Sequence, residues 1–321
     1  MNVTQLIKRV RRSAFVEDTA VDWTDANIVE EMNDTLTQLY SRAVVNGDQG
    51  HWQMTEYTPL VGGQRSYRMP ARSVMGTVIR SQMSYANDVS WWHVEEMTEA
   101  DAMRYEYDGA VGGIGDDMQQ RKIIRGENIY LLPPVPASNT YVMRTHYAIR
   151  PSRLCLPQAS PTAGIITAIN PTTRVVTVNI AIGSIGEDGS ISVFTGAQQV
   201  DIIRVGGWHK VQWTGAATIS GTSITLAVNA SGLAEANDLS GIAVGDVVRA
   251  ADQTDWPAIP ADYHRSLADA TAVKMLTARG MYEASSALAQ AHVSPDLQRF
   301  GDLVRLRDES AAYVFVAPEF V

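Results

Sequence analysis

The stretch IITAINPTTRVVTVNI, Ile165–Ile180, decides the fold class. Two runs rich in β-branched residues, Ile165–Ile169 and Arg174–Ile180, flank Asn170-Pro171, a pair that favours a turn. The pattern recurs along the chain as Ile191–Phe194, Val200–Val205, Lys210–Trp213, Thr218–Ile219, Ser223–Val228 and Asp246–Arg249. Short strands at near-regular spacing, separated by Gly or Asn turns, predict a small all-β barrel or sandwich. Composition marks out the same segment: residues 160–250 hold 10 of the 61 charged residues and none of the 12 tyrosines. Residues 158–251 therefore read as an inserted all-β domain.

On either side the pattern changes. Residues 3–45 read as two helices, the second opening at Thr24 as N-cap with Asp25 in its first turn, where a carboxylate meets the positive helix end. Its apolar stripe is Ile28, Met32, Leu36, Leu39 and Ala43, one face at a period of 3.6, and Asn46-Gly47 ends it. From Trp52 to Ile149 short β segments take over: Gln53–Leu60, Ser66–Met69, Thr77–Met83, Ser90–Glu95, Ile123–Leu132 and Tyr141–Ile149. Gly62-Gly63 and Gly126-Glu127-Asn128 supply turns between them. Thr98–Tyr105 reads as a short helix and Gly109–Asp117 as a loop.

Helical character returns after Pro257 and Pro260 with Ala261–His292, a long alanine-rich helix, and again at Ser294-Pro295-Asp296, a Ser N-cap followed by Pro at the first helical position. Two N-terminal helices are too few to bury each other's stripes and a sheet as well. The C-terminal helices are expected to complete one bundle with them. The predicted class is α+β: a discontinuous core, 1–157 with 252–321, made of a helical bundle and an antiparallel β region, carrying the insert.

Charge and cysteine content exclude several functions. With 26 Lys+Arg against 35 Asp+Glu, the chain carries a formal −9, which argues against a broad nucleic-acid grip, since phosphate affinity comes from clustered cations. The insert contributes 4 basic and 6 acidic residues, −2, leaving −7 for the core. Cys155 is the single cysteine, so no intrachain disulfide or Cys-based metal site forms. Val3, Leu6, Ile7 and Val10 are interleaved with cations and make no signal-peptide core. No apolar run approaches the ~20 residues of a membrane-spanning helix.

An enzymatic constellation is missing as well. The six histidines show no His-Glu-x-x-His and no ligand spacing on one helix. His93 and Glu95 read as neighbours on one strand face, and a surface pair beside tryptophan is the simpler account than a metal site. Gly109–Gly115 lacks dinucleotide and Walker spacing. Asp116-Asp117 and Glu187-Asp188-Gly189 read as solvated turns, since a calcium loop needs more oxygen ligands at set offsets. The expectation is a non-enzyme without cofactor or metal.

Three groups of residues are candidates for binding. Lys8, Arg9, Arg11 and Arg12 form a basic, partner-facing helix. Trp208 and Trp213, with His209 and Lys210, could make an aromatic platform for carbohydrate or a receptor, the competing reading being barrel core. The apolar end, with Tyr313, Phe315, Phe320 and Val321, suits docking into a groove of a neighbour.

Several stretches taken together resemble a tailed-bacteriophage head-to-tail adaptor, or connector. They are the opening helix Val3–Arg12 followed by Trp23–Asp34; Tyr67-Arg68-Met69-Pro70-Ala71-Arg72-Ser73-Val74; Gly126–Pro136 leading into Met143–Leu154; and Ile259–Arg265 opening the alanine-rich helix. The resemblance spans both flanks of the insert, and the order and spacing of the motifs carry it. It implies a virion protein of the neck or tail region, made in the host cytoplasm, whose ring of twelve copies binds the portal protein above and tail nozzle or fibre proteins below. DNA would pass through the lumen without specific binding, on its way out at ejection. It also implies portal docking by Tyr313–Val321. The alternative reading is a tail or fibre-attachment protein whose insert binds glycan or another tail protein.

Overall fold

The computed structural model describes residues 1–17, 20–45, 52–85, 90–107, 120–137, 140–156, 163–185, 191–205, 210–231 and 233–294. The chain forms two compact units: Met1–His51 with Pro151–Ala227 and Leu239–Val321, and Trp52–Arg150 with Val228–Asp238. Both mix helix and strand, so the class is α+β.

In the first unit, α1 (Val3–Ser13) opens with a capping box: Asn2 Oδ1 accepts from the Gln5 amide, and Gln5 Oε1 accepts from the Asn2 amide. Helix α2 (Asp25–Val45) starts where the sequence predicts, with the Asn27 amide donating to Thr24 Oγ1. Its stripe Ile28, Met32, Leu36 and Leu39 is buried. The alanine-rich stretch departs from expectation. It is two helices, α4 (His264–Ala278) and α5 (Tyr282–Leu288), followed by a π-helical turn at Ala289–Val293. The break falls at Gly280, whose φ of +75° is open to glycine at little cost. Helix α4 packs on α1, α2 and α5. Its Ala268 and Ala272 are fully buried, and their small side chains let neighbouring helices approach closely. The last predicted helix, from Ser294-Pro295, lies outside the described residues beyond Ser294.

The same unit contains the strands of the insert: β10 (Ala163–Asn170), β11 (Val175–Val178), β12 (Gly183–Ile185), β13 (Ile191–Val193), β14 (Gly196–Arg204), β15 (Lys210–Ser220), β16 (Ser223–Leu226) and β17 (Val247–Ala250). Six of them close a barrel in the order β10-β11-β16-β15-β14-β17, and β12 pairs with β13 as a separate hairpin. The sequence left barrel and sandwich open; closure is decided by β17, which pairs with both β10 and β14. Lys210–Trp213 and Thr218–Ile219, read as two strands, are one continuous β15. Inward residues such as Ile166, Val176, Val200, Ile202, Ile219, Ile224 and Val248 fill the barrel, each contributing about 1.5–3 kcal/mol by leaving water. At the Asn170-Pro171 turn, Asn170 Oδ1 accepts from the Thr172 and Thr173 amides.

Where the chain enters and leaves the insert, β9 (Arg153–Leu154) and β18 (Gln253–Thr254) pair in parallel. Arg249, on β17, is fully buried beside this pair and bonded to the Asp255 carboxylate. Burial pulls its guanidinium down to about 10, which leaves it charged at neutral pH.

The second unit is built from β1 (Gln53–Leu60), β2 (Ser66–Arg68), β3 (Ser73–Tyr85), β4 (Trp92–His93), β5 (Glu95–Glu96), α3 (Glu99–Tyr107), β6 (Arg121–Arg125), β7 (Asn128–Leu132) and β8 (Tyr141–Ile149). They form two four-stranded sheets, β1-β8-β3-β4 and β2-β7-β6-β5, antiparallel except for the parallel pair β5 and β6. Leu60, Tyr67, Met69, Met83, Ile129, Leu131, Tyr141 and Met143 form the core of this unit, drawn from both sheets. Strand β8 is buried at eight of nine positions because it is central in its sheet. The predicted Gly109–Asp117 loop lies outside the described residues.

Candidate interaction surfaces

The four cations of α1 part company in the structure. Arg9 lays its guanidinium as a fork on Asp269 of α4, with Nε to Oδ1 at 3.0 Å and Nη2 to Oδ2 at 2.9 Å. Asp269 is buried and also accepts from the Ser13 hydroxyl. Arg11 is buried too: it binds Asp25 Oδ1 at 2.7 Å and the carbonyls of Glu17 and Trp23, fastening the α1–α2 turn. Two cations are thus engaged inside the chain. Lys8 and Arg12 point to solvent and are the ones that can face a partner.

Two helix turns share one end of this unit. Arg279, at the end of α4, donates from Nη1 to the Ala14 carbonyl at 2.9 Å and to the Phe15 carbonyl at 3.2 Å, tying the α4–α5 turn to the α1–α2 turn. Phe15 and Tyr282, in these two turns, expose 69% and 68% of their surface, and Val21 and Met281 are exposed as well. No local pattern signals this grouping, because it depends on where α4 ends.

On the second unit, one face of β1-β8-β3 carries a polar and aromatic network. The register sets Tyr57 opposite Arg144 and Thr55 opposite His146. The Arg144 guanidinium lies 4.2 Å from the Trp91 ring centroid, donates to Gln82 Oε1 at 2.8 Å and reaches the Glu235 carboxylate at 3.3 Å. Tyr57 donates to Glu235 and meets Trp91 edge-on. Glu235 and desolvation both push the Tyr57 hydroxyl up, desolvation first. His146 is held down to about 4 by burial and by the nearby Arg80 and Arg144 charges. It is therefore neutral near pH 7, and its partners fix the tautomer: Nδ1 accepts from Gln53 and Thr55, and Nε2–H faces Gln82 Oε1. Glu235 belongs to Val228–Asp238, far along the chain, so sequence reading could not find this cluster.

His93 and Glu95 are not neighbours on one strand face. His93 ends β4 in one sheet and Glu95 opens β5 in the other, where it pairs with Arg121. Among the described residues, no group of three or more His, Cys, Asp or Glu side chains is placed to hold a metal. Trp213 is half-buried and packs against the barrel core. Its ring closes over Gly215, where a Cβ would come within 2.9 Å of it. Trp208 and His209 lie outside the described residues, as do Tyr313, Phe315, Phe320 and Val321.

Residues 1–175 match the SU10 adaptor protein family, a span that takes in α1, α2, both sheets of the second unit and β10. No curated protein matches the chain. With more than half of its length matched, the chain belongs to the SU10 adaptor protein family and is a phage adaptor protein.

Proposed function

We propose that this adaptor forms a ring that joins the portal to the tail and makes part of the DNA channel in the virion neck. The family match over residues 1–175 is the observation that carries the reading. The division of the chain into a ring-building core, 1–157 with 252–321, and an inserted domain, 158–251, belongs to the same proposal. The core then carries most of the negative charge, −7 of −9. A negative lumen repels packaged DNA and keeps it from adhering as it moves. Lys8 and Arg12 present cations to a neighbouring protein, and Tyr313, Phe315, Phe320 and Val321 dock on the portal. The test is mass measurement and electron microscopy of the purified protein with and without portal. A ring of about twelve copies seated on the portal is expected, in keeping with the closed cyclic symmetry of such assemblies. A monomer that never joins a portal ring overturns the proposal.

A further inference from the structure

Between the two sheets of the second unit a lysine is buried, and among the described residues no counter-ion touches it. Lys122 on β6 is 2% exposed, and its register partner Leu131 is part of the core, so its side chain enters the space between the sheets. Its ammonium meets the Ser81 hydroxyl on β3 at 3.3 Å. Ser81 is in register with Thr145 on β8, and their neighbours two residues along, Met83 and Met143, are both core residues. Thr145 is 1% exposed, and its Oγ1 has no hydrogen-bond partner among the described residues. Among the described residues no carboxylate lies within ion-pair distance of Lys122.

A buried ammonium is costly unless it is paired, and a buried hydroxyl is costly unless it is bonded. Here the ammonium donates to the Ser81 hydroxyl, and the Thr145 hydroxyl, in register with Ser81, is left without an acceptor. A neutral amine would accept from Ser81 but would leave Thr145 as it is. A single compact acceptor of negative charge serves all three groups together.

We infer that Lys122, Ser81 and Thr145 form a binding site for a small monovalent anion of the chloride class, which pins the two sheets together. Glu96, in register with Lys122 on exposed β5, is the nearest competitor for the ammonium. Glu56 is the register partner of Thr145 on β1, and burial pushes its carboxyl up, towards the neutral form that an anion beside Thr145 tolerates.

The experiment uses the full chain. Crystals soaked in sodium bromide are expected to show an anomalous peak between Lys122 Nζ and Thr145 Oγ1. Thermal melting in sodium chloride is expected to exceed that in sodium gluconate of equal ionic strength by about 2–4 °C, the shift of a ligand present at several times its Kd. Lys122→Met and Thr145→Val should each abolish that difference. Thr145→Val keeps shape and charge, so it remains informative if Lys122→Met fails to fold. A water without anomalous signal, the Glu96 carboxylate against Nζ, or equal melting in the two salts would each overturn the site.

Discussion

Asn33 and Leu154 are bonded twice: the Asn33 side-chain amide donates to the Leu154 carbonyl at 3.1 Å, and its Oδ1 accepts from the Leu154 amide at 2.7 Å. One side chain thereby acts as a further strand for β9 and ties α2 to the point where the chain leaves for the barrel. Asn33→Ala strips both bonds from a buried backbone and should cost about 1–3 kcal/mol. Asn33→Asp keeps the acceptor but sets a carboxylate against the Leu154 carbonyl, and should cost at least as much. Chemical denaturation of both variants checks this, and wild-type stability in either would contradict it.

The cations of α1 should separate into two classes. Lys8→Glu with Arg12→Glu changes only exposed positions and should leave the melting temperature nearly unchanged while weakening portal association. Arg9→Met takes the fork from the buried Asp269 carboxylate, which keeps Arg265 at 3.5 Å and the Ser13 hydroxyl, and should cost about 1–3 kcal/mol, below the loss of a sole buried partner. Melting curves and a portal pull-down on both sets distinguish the roles.

His146 makes stability depend on pH. Its folded pKa, about 4, lies below the ordinary value of 6.5. The unfolded chain therefore takes up the proton first as pH falls. Stability should drop between pH 6.5 and 4, by roughly 3 kcal/mol at most, and this contribution levels off below pH 4. His146→Gln, which keeps the hydrogen-bonding size, should flatten that part of the profile. An unchanged slope in the variant would assign the loss to other groups.

Gly280 sits at φ +75° with open space around its would-be Cβ. Gly280→Ala meets backbone strain alone and should cost about 1 kcal/mol. Gly164 is different: a Cβ there would come within 2.7 Å of Val178 Cβ inside the barrel. Gly164→Ala should therefore cost more than Gly280→Ala, a ranking that paired thermal melts can read.

Much of the fold was legible because its signals are local. The strands Gln53–Leu60 and Tyr141–Ile149 have the predicted bounds, since alternation and Gly turns specify them without reference to the rest of the chain. Thr24 caps α2 by a bond to a residue three positions away. The break at Gly280 was hidden for the opposite reason: alanine propensity on both sides argues for one helix, and the Arg279 clasp to Ala14 and Phe15 comes from residues more than 260 positions away.

The sequence by itself determined most element types, the run of short strands between 163 and 250 with its low charge, and the family resemblance, because periodicity and composition are properties of neighbouring residues. Only the tertiary structure decided barrel over sandwich, which α1 cations turn inward, and the gathering of Tyr57, Trp91, Arg144 and Glu235 on one face. Each of these depends on pairings between distant segments. Burial and opposite charge select such pairings in space, and no local pattern along the chain records them.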